Sequence, residues 1–580
     1  MENSMRSASS RLLSILVVAA LFLLAQAPVV AQDAFKDAKK EFDTARKENS
    51  ATRMGRAIEN MAAAKTPEAR DHLLGLLAED QKDRKNRKPG LPGEVRKKLL
   101  MALSTFSDDE SVSKIGEAVL KIDSVKDPAS ALDQFDFLLA LVRMKESTPA
   151  QQVVSNALSF AGKPANPYIK CAALEAIRQG GDSRYVDGVV AVMKEENKEW
   201  WTKWKIVPIN VFACLEAIAQ TDENEATVKA VEATADLAKT WEDDKVVVDD
   251  RVRYFAGRML KALSGEHADI MSWQFWKWWA LQKKTLGRSP KIDNAPKKQE
   301  QTKAKPPVFN VAPVGRRFVF SLDMSLSMNM PLKIDLPEIE RRPPQPPKSG
   351  NRKNDADPEE QKRKDEEDKR IAEAEKKRGI DALKKLPWQT ISTKLELARE
   401  ELARAISELE DGIIFAIVLW STEVECITGG WVKADAASKA KWSKAAKEIE
   451  AVALTNMHGG LMGAMRVSDK GYKDGVPAEP SVDPDCVISG ADCIVFLTDG
   501  WASWSDDSNA QTVDDPRGGT GKIGDGTHIL GPEIWPAIAR QNLFRKVVIH
   551  CIGIGNHDKD CLKHIARDSG GTYIDWYFDG

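Results

Sequence analysis

The chain has 580 residues, enough for two or three hydrophobic cores, and its 85 basic and 87 acidic side chains leave a formal net charge of −2. No overall field therefore draws nucleic acid, and a chain with 30% charged residues does not cross a membrane repeatedly. The Gly-x-Ser-x-Gly elbow, the Gly-x-x-x-x-Gly-Lys-Ser/Thr phosphate loop and the His-Glu-x-x-His zinc pair are all missing from the sequence, so an enzyme is not expected.

At the amino terminus, Arg6 and Arg11 precede the apolar run Leu12 to Ala25, and Val29-Val30-Ala31 presents the small residues that a signal peptidase reads. Residues 1–31 are expected to be a signal peptide. Cleavage after Ala31 is favoured over cleavage after Ala27, where Pro28 would follow the cut. The alternative is an uncleaved amino-terminal anchor. The expected location is secreted, periplasmic or cell-envelope.

Residues 33–285 read as an all-α domain. Helical apolar periodicity recurs in Val95 to Leu103, Ile169 to Ile177, Val211 to Ile218 and Val252 to Leu263, and Leu174-Glu175-Ala176-Ile177 returns as Leu215-Glu216-Ala217-Ile218. This spacing of about forty residues resembles HEAT-type helical repeats, which stack into a solenoid. An irregular helical domain is the alternative. Trp273-Gln274-Phe275-Trp276-Lys277-Trp278-Trp279 closes the region, either as a cap on the last helix pair or as a carbohydrate or peptide platform. A Lys-, Gln- and Pro-rich stretch from Lys283 to Pro307 follows, placing a flexible linker at 286–311 between two domains.

The most informative residues come next. Asp323, Ser325 and Ser327 follow the apolar run Phe318-Val319-Phe320-Ser321-Leu322. A carboxylate and two hydroxyls spaced two residues apart at the carboxyl end of a buried strand make a hard-oxygen cradle for a divalent cation. Thr455 stands just before a helical stretch, and Asp499 ends a second apolar strand beginning at Cys493. The ordered set resembles the metal-ion-dependent adhesion site of von Willebrand factor A domains. That resemblance covers residues 312–580 and implies a doubly wound, Rossmann-like α/β fold. It also implies that Ser325, Ser327 and Thr455 bind Mg²⁺ or Mn²⁺ directly, that Asp323 and Asp499 act mostly through water, and that an Asp or Glu of a protein partner completes the shell.

The elements around this set alternate as such a fold requires. Thr393-Lys394-Leu395-Glu396 reads as a capping box opening a helix with Leu395, Ala398, Leu402, Ile406 and Leu409 on one face. Strands are expected at Ile413 to Leu419, at Glu423 to Ile427 as a short edge, at Val547 to Ile552 and at Thr572 to Asp575. Helices are expected at Ala436 to Val452 and at Asp560 to Asp568. The ending at Gly580, soon after the last strand, implies no mobile terminal helix of the kind that switches affinity in some family members.

Two inserts interrupt the pattern, at 329–392 and 501–533. The first contains Arg341-Arg342-Pro343-Pro344-Gln345-Pro346-Pro347 and then a nearly all-charged stretch from Glu359 to Arg378, read as a solvated excursion with an exposed helix ending at Gly379 or as a partner-binding arm. Residues 340–386 hold few apolar groups, so little core should depend on them. The second carries Trp501 and Trp504, which would either pin the loop or give a partner an apolar rim.

Of the seven cysteines, Cys171 and Cys214 lie in helical patterns, whereas Cys426, Cys486, Cys493, Cys551 and Cys561 belong to the sheet domain. An oxidising compartment would permit bridges there, with Cys486 and Cys493 the first pair to consider and at least one thiol left over. The expected function is cation-dependent protein binding. A scaffold whose metal only stabilises the domain is the alternative, and metal-assisted hydrolysis, with His458 as base, is the remote one.

Overall fold

The structure, a computed structural model, describes residues 32–576 except 87, 129, 161–165, 196, 221–223, 292–294, 298–308, 310, 312–313, 333–385, 388–389, 453, 476–479, 501–511, 515–519 and 523–530. The proposed signal peptide, the proline-rich and charged part of the first insert, and Trp501 and Trp504 lie outside the described residues. Two compact units emerge, one of residues up to Glu196 with Asn210–Ala233 and Ala280–Ser289, the other of Asn197–Ile209, Thr234–Trp279 and Pro290 onward.

In the first unit the helices start where the sequence supplies caps. Thr66, Asp108, Ser147 and Asn166 each accept a backbone N–H of the following turn, and Pro67 and Pro167 stand at first-turn positions where no donor is needed. Every second helix packs on the next. Ala51–Ala63, Gly93–Leu103, Ser130–Arg143 and Pro167–Gly180 form one layer, while Pro67–Lys85, Asp109–Leu120, Thr148–Ser159 and Val186–Met193 form the other. Leu99, Leu138 and Leu174 are buried between such neighbours.

The second unit is built on a sheet. Its strands are β1 (Arg317–Asp323), β2 (Ile414–Trp420), β3 (Val424–Cys426), β4 (Val432–Lys433), β7 (Cys493–Thr498), β10 (Val548–Ile554) and β11 (Tyr573–Trp576), with β5 (Val467–Ser468) and β6 (Gly471–Tyr472) forming one separate hairpin and β8 (Thr512–Asp514) and β9 (Thr520–Lys522) another. Spatial order is β11-β10-β7-β1-β2-β3; β4 also pairs with β2. β11, β10, β7, β1 and β2 run parallel, and the short β3 and β4 run antiparallel to β2. Helices cover both faces, which is why the central strands are apolar at nearly every position rather than at alternate ones.

Helix Lys394–Glu408 opens with the expected capping box, in which Thr393 caps the Glu396 N–H while Glu396 reaches back to the Thr393 N–H. The expected Lys-rich helix stops at Lys447, earlier than Val452. Helices Pro484–Ser489 and Gly531–Gln541 and the β5–β6 hairpin add elements that periodicity did not mark. The insert after β1 is closed at its base: Pro331 bridges Thr393 antiparallel, and Leu332 N–H donates to Ser392 O at 2.8 Å. Leu386, within the stretch 340–386 on which little core was expected to depend, is buried.

Cys486 and Cys493 are not bridged, correcting the pairing considered above; all seven cysteines are buried thiols. Cys486 sits in its own helix with its thiol near Val467 O at 3.8 Å, while Cys493 opens β7 between Phe318 and Val548. Burial pushes the Cys486 thiol up to about 11. In the tryptophan cluster Phe275, Trp276 and Trp279 are fully buried while Trp273 and Trp278 are half-buried, and Trp276 Nε1 donates to Asp269 O at 2.9 Å. In the same unit as the sheet, Tyr254 of helix Asp250–Ser264 donates to Gly570 O at 3.2 Å, and Arg251 lies 3.7 Å from Asp492. Among the described residues no helix is long and apolar enough to cross a membrane.

Beneath the carboxyl ends of the strands, Trp420 stacks on Phe496 with ring centroids 4.9 Å apart. Helix Met457–Ala464 lies so close over Trp420 that a Cβ on Gly460 would stand 2.5 Å from the indole. Gly460→Ala is therefore expected to lift this helix and to cost about 1–3 kcal/mol, as overpacking does. Denaturant unfolding of the full chain checks it.

Candidate functional site

The strand order reverses direction of growth between β1 and β7, and in open parallel sheets the crevice beyond the carboxyl ends at that point is where ligands bind. β1 ends in Asp323, and β7 runs directly into Asp499. The register sets Leu322 beside Leu497 on one side and Asp323 beside Trp420 on the other, so Asp323 is level with Thr498 and Asp499 follows one residue on.

Each oxygen of Asp323 is taken. Oδ1 accepts the Ser325 N–H at 2.8 Å, which folds the chain back over the strand end, and Oδ2 accepts the Thr498 hydroxyl at 2.5 Å. Ser327 Oγ donates to Asp499 Oδ1 at 2.8 Å. A hydroxyl has one proton, so the 3.0 Å contact between the two serines is a donation from Ser325 to Ser327. The result is a directed relay, Ser325 to Ser327 to Asp499, with acceptor lone pairs of both serines still available.

Thr455 reaches the same place on a loop clipped to β2: Asn456 N–H donates to Ser421 O at 2.8 Å, and Asn456 Oδ1 caps helix Met457–Ala464 through Gly459 N–H at 2.8 Å. A Cβ on Gly500 would lie 3.6 Å from Ser327 Oγ and 3.8 Å from Thr455 Oγ1, so these hydroxyls flank one point. All five residues singled out in the sequence thus meet at one end of the sheet. Asp323, Ser325, Thr455 and Asp499 are almost wholly buried.

Two further residues belong to the site and were not singled out. Thr498 reads as part of an apolar strand, and its hydroxyl serves as the second donor to Asp323. Lys394, inside the capping box, turns its ammonium onto Asp499 Oδ2 at 2.6 Å. Burial, and then the neighbouring Asp499 charge, push the Asp323 carboxyl up to about 7 against the pull of Thr498 and Ser325. His458, the candidate base, is enclosed in helix Met457–Ala464.

Chemically the set is two carboxylates and three hydroxyls, all hard oxygen, which suits Mg²⁺ or Mn²⁺ and offers nothing to a soft metal. Among the described residues there is no group of three or more His, Cys, Asp or Glu placed to hold a metal. A cation here would rest chiefly on hydroxyl oxygen.

Residues 390–480 and 533–575 match the family model of the von Willebrand factor type A domain. The chain carries a von Willebrand factor A domain. The matched stretches include Lys394 and Thr455 but not β1 or β7, so Asp323, both serines and Asp499 fall outside them, and they assign no family to the helical layers. Among solved structures, a von Willebrand factor type A protein from Catenulispora acidiphila is 22% identical, over 31% of this chain and 34% of that one, with a TM-score of 0.22. A mutant of the PilB minor pilin from Streptococcus sanguinis is 14% identical, over 45% of this chain and 55% of that one, with a TM-score of 0.24. This chain thus spans about a third and about half of those two chains. No curated protein matches it.

Within the A domain, the Thr498 hydroxyl is held by structure rather than by any ligand, because it also accepts Gly500 N–H at 3.2 Å. Thr498→Val keeps the shape and strands both partners. Leaving a buried carboxylate oxygen without its donor is expected to cost about 1–3 kcal/mol, measurable by chemical unfolding without divalent cation.

Proposed function

We propose that this chain is an exported, divalent-cation-dependent protein-binding protein whose A domain uses a Mg²⁺ or Mn²⁺ ion to capture an Asp or Glu side chain of a protein partner. The observation that carries this reading is the meeting of Asp323, Ser325, Ser327, Thr455 and Asp499 at the switch point of the sheet. Ser325, Ser327 and Thr455 would contact the ion, and Asp323 and Asp499 would act mostly through water. Neutral hydroxyl ligands leave a cation electrophilic, so a carboxylate from outside is the natural last ligand. The bound ion supplies charge and coordination. This is binding chemistry rather than catalysis, and the helical layers would present a second contact surface.

One observation favours the alternative of a scaffold whose ion only stabilises the domain: the aspartates are almost completely enclosed. The two readings differ in what the ion does for a partner. Calorimetry on the full chain is expected to show one Mg²⁺ or Mn²⁺ per chain, lost in Asp323→Ala; equal binding by both proteins removes the metal site. Capture of a partner from an envelope extract is expected in Mg²⁺ and not in chelator. Capture indifferent to chelator would leave the scaffold reading in place.

A further inference from the structure

Lys394 is the residue at this site whose chemistry runs against the rest. Its ammonium sits 2.6 Å from Asp499 Oδ2, with the lysine side chain only 12% exposed and the aspartate side chain fully enclosed. Among the described residues this is the one ion pair that either Asp323 or Asp499 makes. A surface lysine swinging in solvent would have little effect, but a charge held in so enclosed a place acts at a much lower effective dielectric.

Its position is built rather than accidental. The Lys394 backbone is pinned, its N–H donating to Met330 O at 3.2 Å in the clasp that closes the insert, and the preceding Thr393 caps the helix that begins with Lys394. The side chain then passes over the turn after β10, where Gly555 has φ of +66° and a Cβ would stand 3.2 Å from Cε and 3.3 Å from Nζ. The turn at the end of β10 leaves just the room this lysine uses. With Ser327 on the other oxygen, both acceptors of Asp499 are then occupied by the protein itself.

We infer that Lys394 is a tethered competitor of the divalent cation: it neutralises Asp499 when no ion is bound, opposes the incoming ion by charge, and so raises the cation concentration at which the site becomes able to take a partner's carboxylate. The inference rests on the cation-binding reading above and concerns how that site is regulated. A lysine that only positioned Asp499 for a bound ion would have the opposite effect on affinity, because removing it would weaken binding.

The test is calorimetric titration of the full-length chain with Mn²⁺, comparing wild type with Lys394→Met, Lys394→Arg and Asp323→Ala, together with thermal melts in chelator and in Mn²⁺. Lys394→Met is expected to bind Mn²⁺ at least about tenfold more tightly, since one repelling charge is removed from a poorly screened site. It should also melt lower than wild type in chelator, and gain more from Mn²⁺. Lys394→Arg, which keeps the charge, should stay within a few-fold of wild type. Should Lys394→Met fail to fold, Lys394→Gln, which keeps a donor to Asp499 without the charge, carries the same expectation. Wild type that binds Mn²⁺ while the neutral variants bind it equally or more weakly overturns the competitor role and leaves the metal site standing. Absence of Mn²⁺ binding in every protein, the neutral variants included, overturns both.

Discussion

Two carboxylates that leave adjacent parallel strands, Asp323 at the end of β1 and Asp499 one residue beyond its level after β7, repel each other, and they do so here with almost no water to screen them. Much of what surrounds the end of the sheet answers that one constraint. The Ser325 N–H and the Thr498 hydroxyl hold Asp323, while the Ser327 hydroxyl and the Lys394 ammonium hold Asp499. A buried ion pair of this kind is weak evidence for stability, because desolvating both charges offsets most of their attraction. Its better attested effect is to fix one arrangement, and an arrangement fixed around negative charge is what a cation site requires.

The sheet makes this possible through register. Side chains alternate faces with a period of two, so a slip of one residue between β1 and β7 would part the Asp323 carboxylate from the Thr498 hydroxyl that the register sets beside it. Register in turn depends on packing below the site. The stack of Trp420 on Phe496 ties the β2 side to β7 across β1, and the Asp492 carboxylate receives the N–H groups of Arg316 and Arg317 where β1 begins. The hydroxyl and carboxylate geometry at one end is therefore held by apolar contact and hydrogen bonds along the full length of the strands.

How much of this could be read from the chain follows the range of the interactions. The strands were legible because a sheet covered on both faces writes itself as continuous apolar runs, and the site residues stood out because Asp323, Ser325, Ser327 and Asp499 end or follow such runs and Thr455 stands between them just before a helix. The capping box was legible because its partners lie three residues apart. Lys394 was hidden inside it: local chemistry accounts for its neighbours, and its target is 105 residues away. Thr498 was hidden by being one more residue of an apolar strand. The pairing of Cys486 with Cys493 failed because a short sequence separation says nothing about direction, and one thiol sits in a helix facing Val467 O of β5 while the other starts a strand. The layered helices were legible as periodicity, but periodicity alone does not identify a repeat family.

The clasp at Pro331, Leu332, Ser392 and Thr393 has a consequence for how such a domain can diversify. Holding the two ends of an excursion side by side means that the entropy of closing it grows only with the logarithm of its length, so each doubling adds about 0.6 kcal/mol. Length and composition of the segment beyond the clasp are thereby almost uncoupled from the geometry of the serines on one side and the lysine on the other. A lineage can lengthen, shorten or rewrite that segment while the hydroxyls and the lysine beside it keep their hold on Asp499.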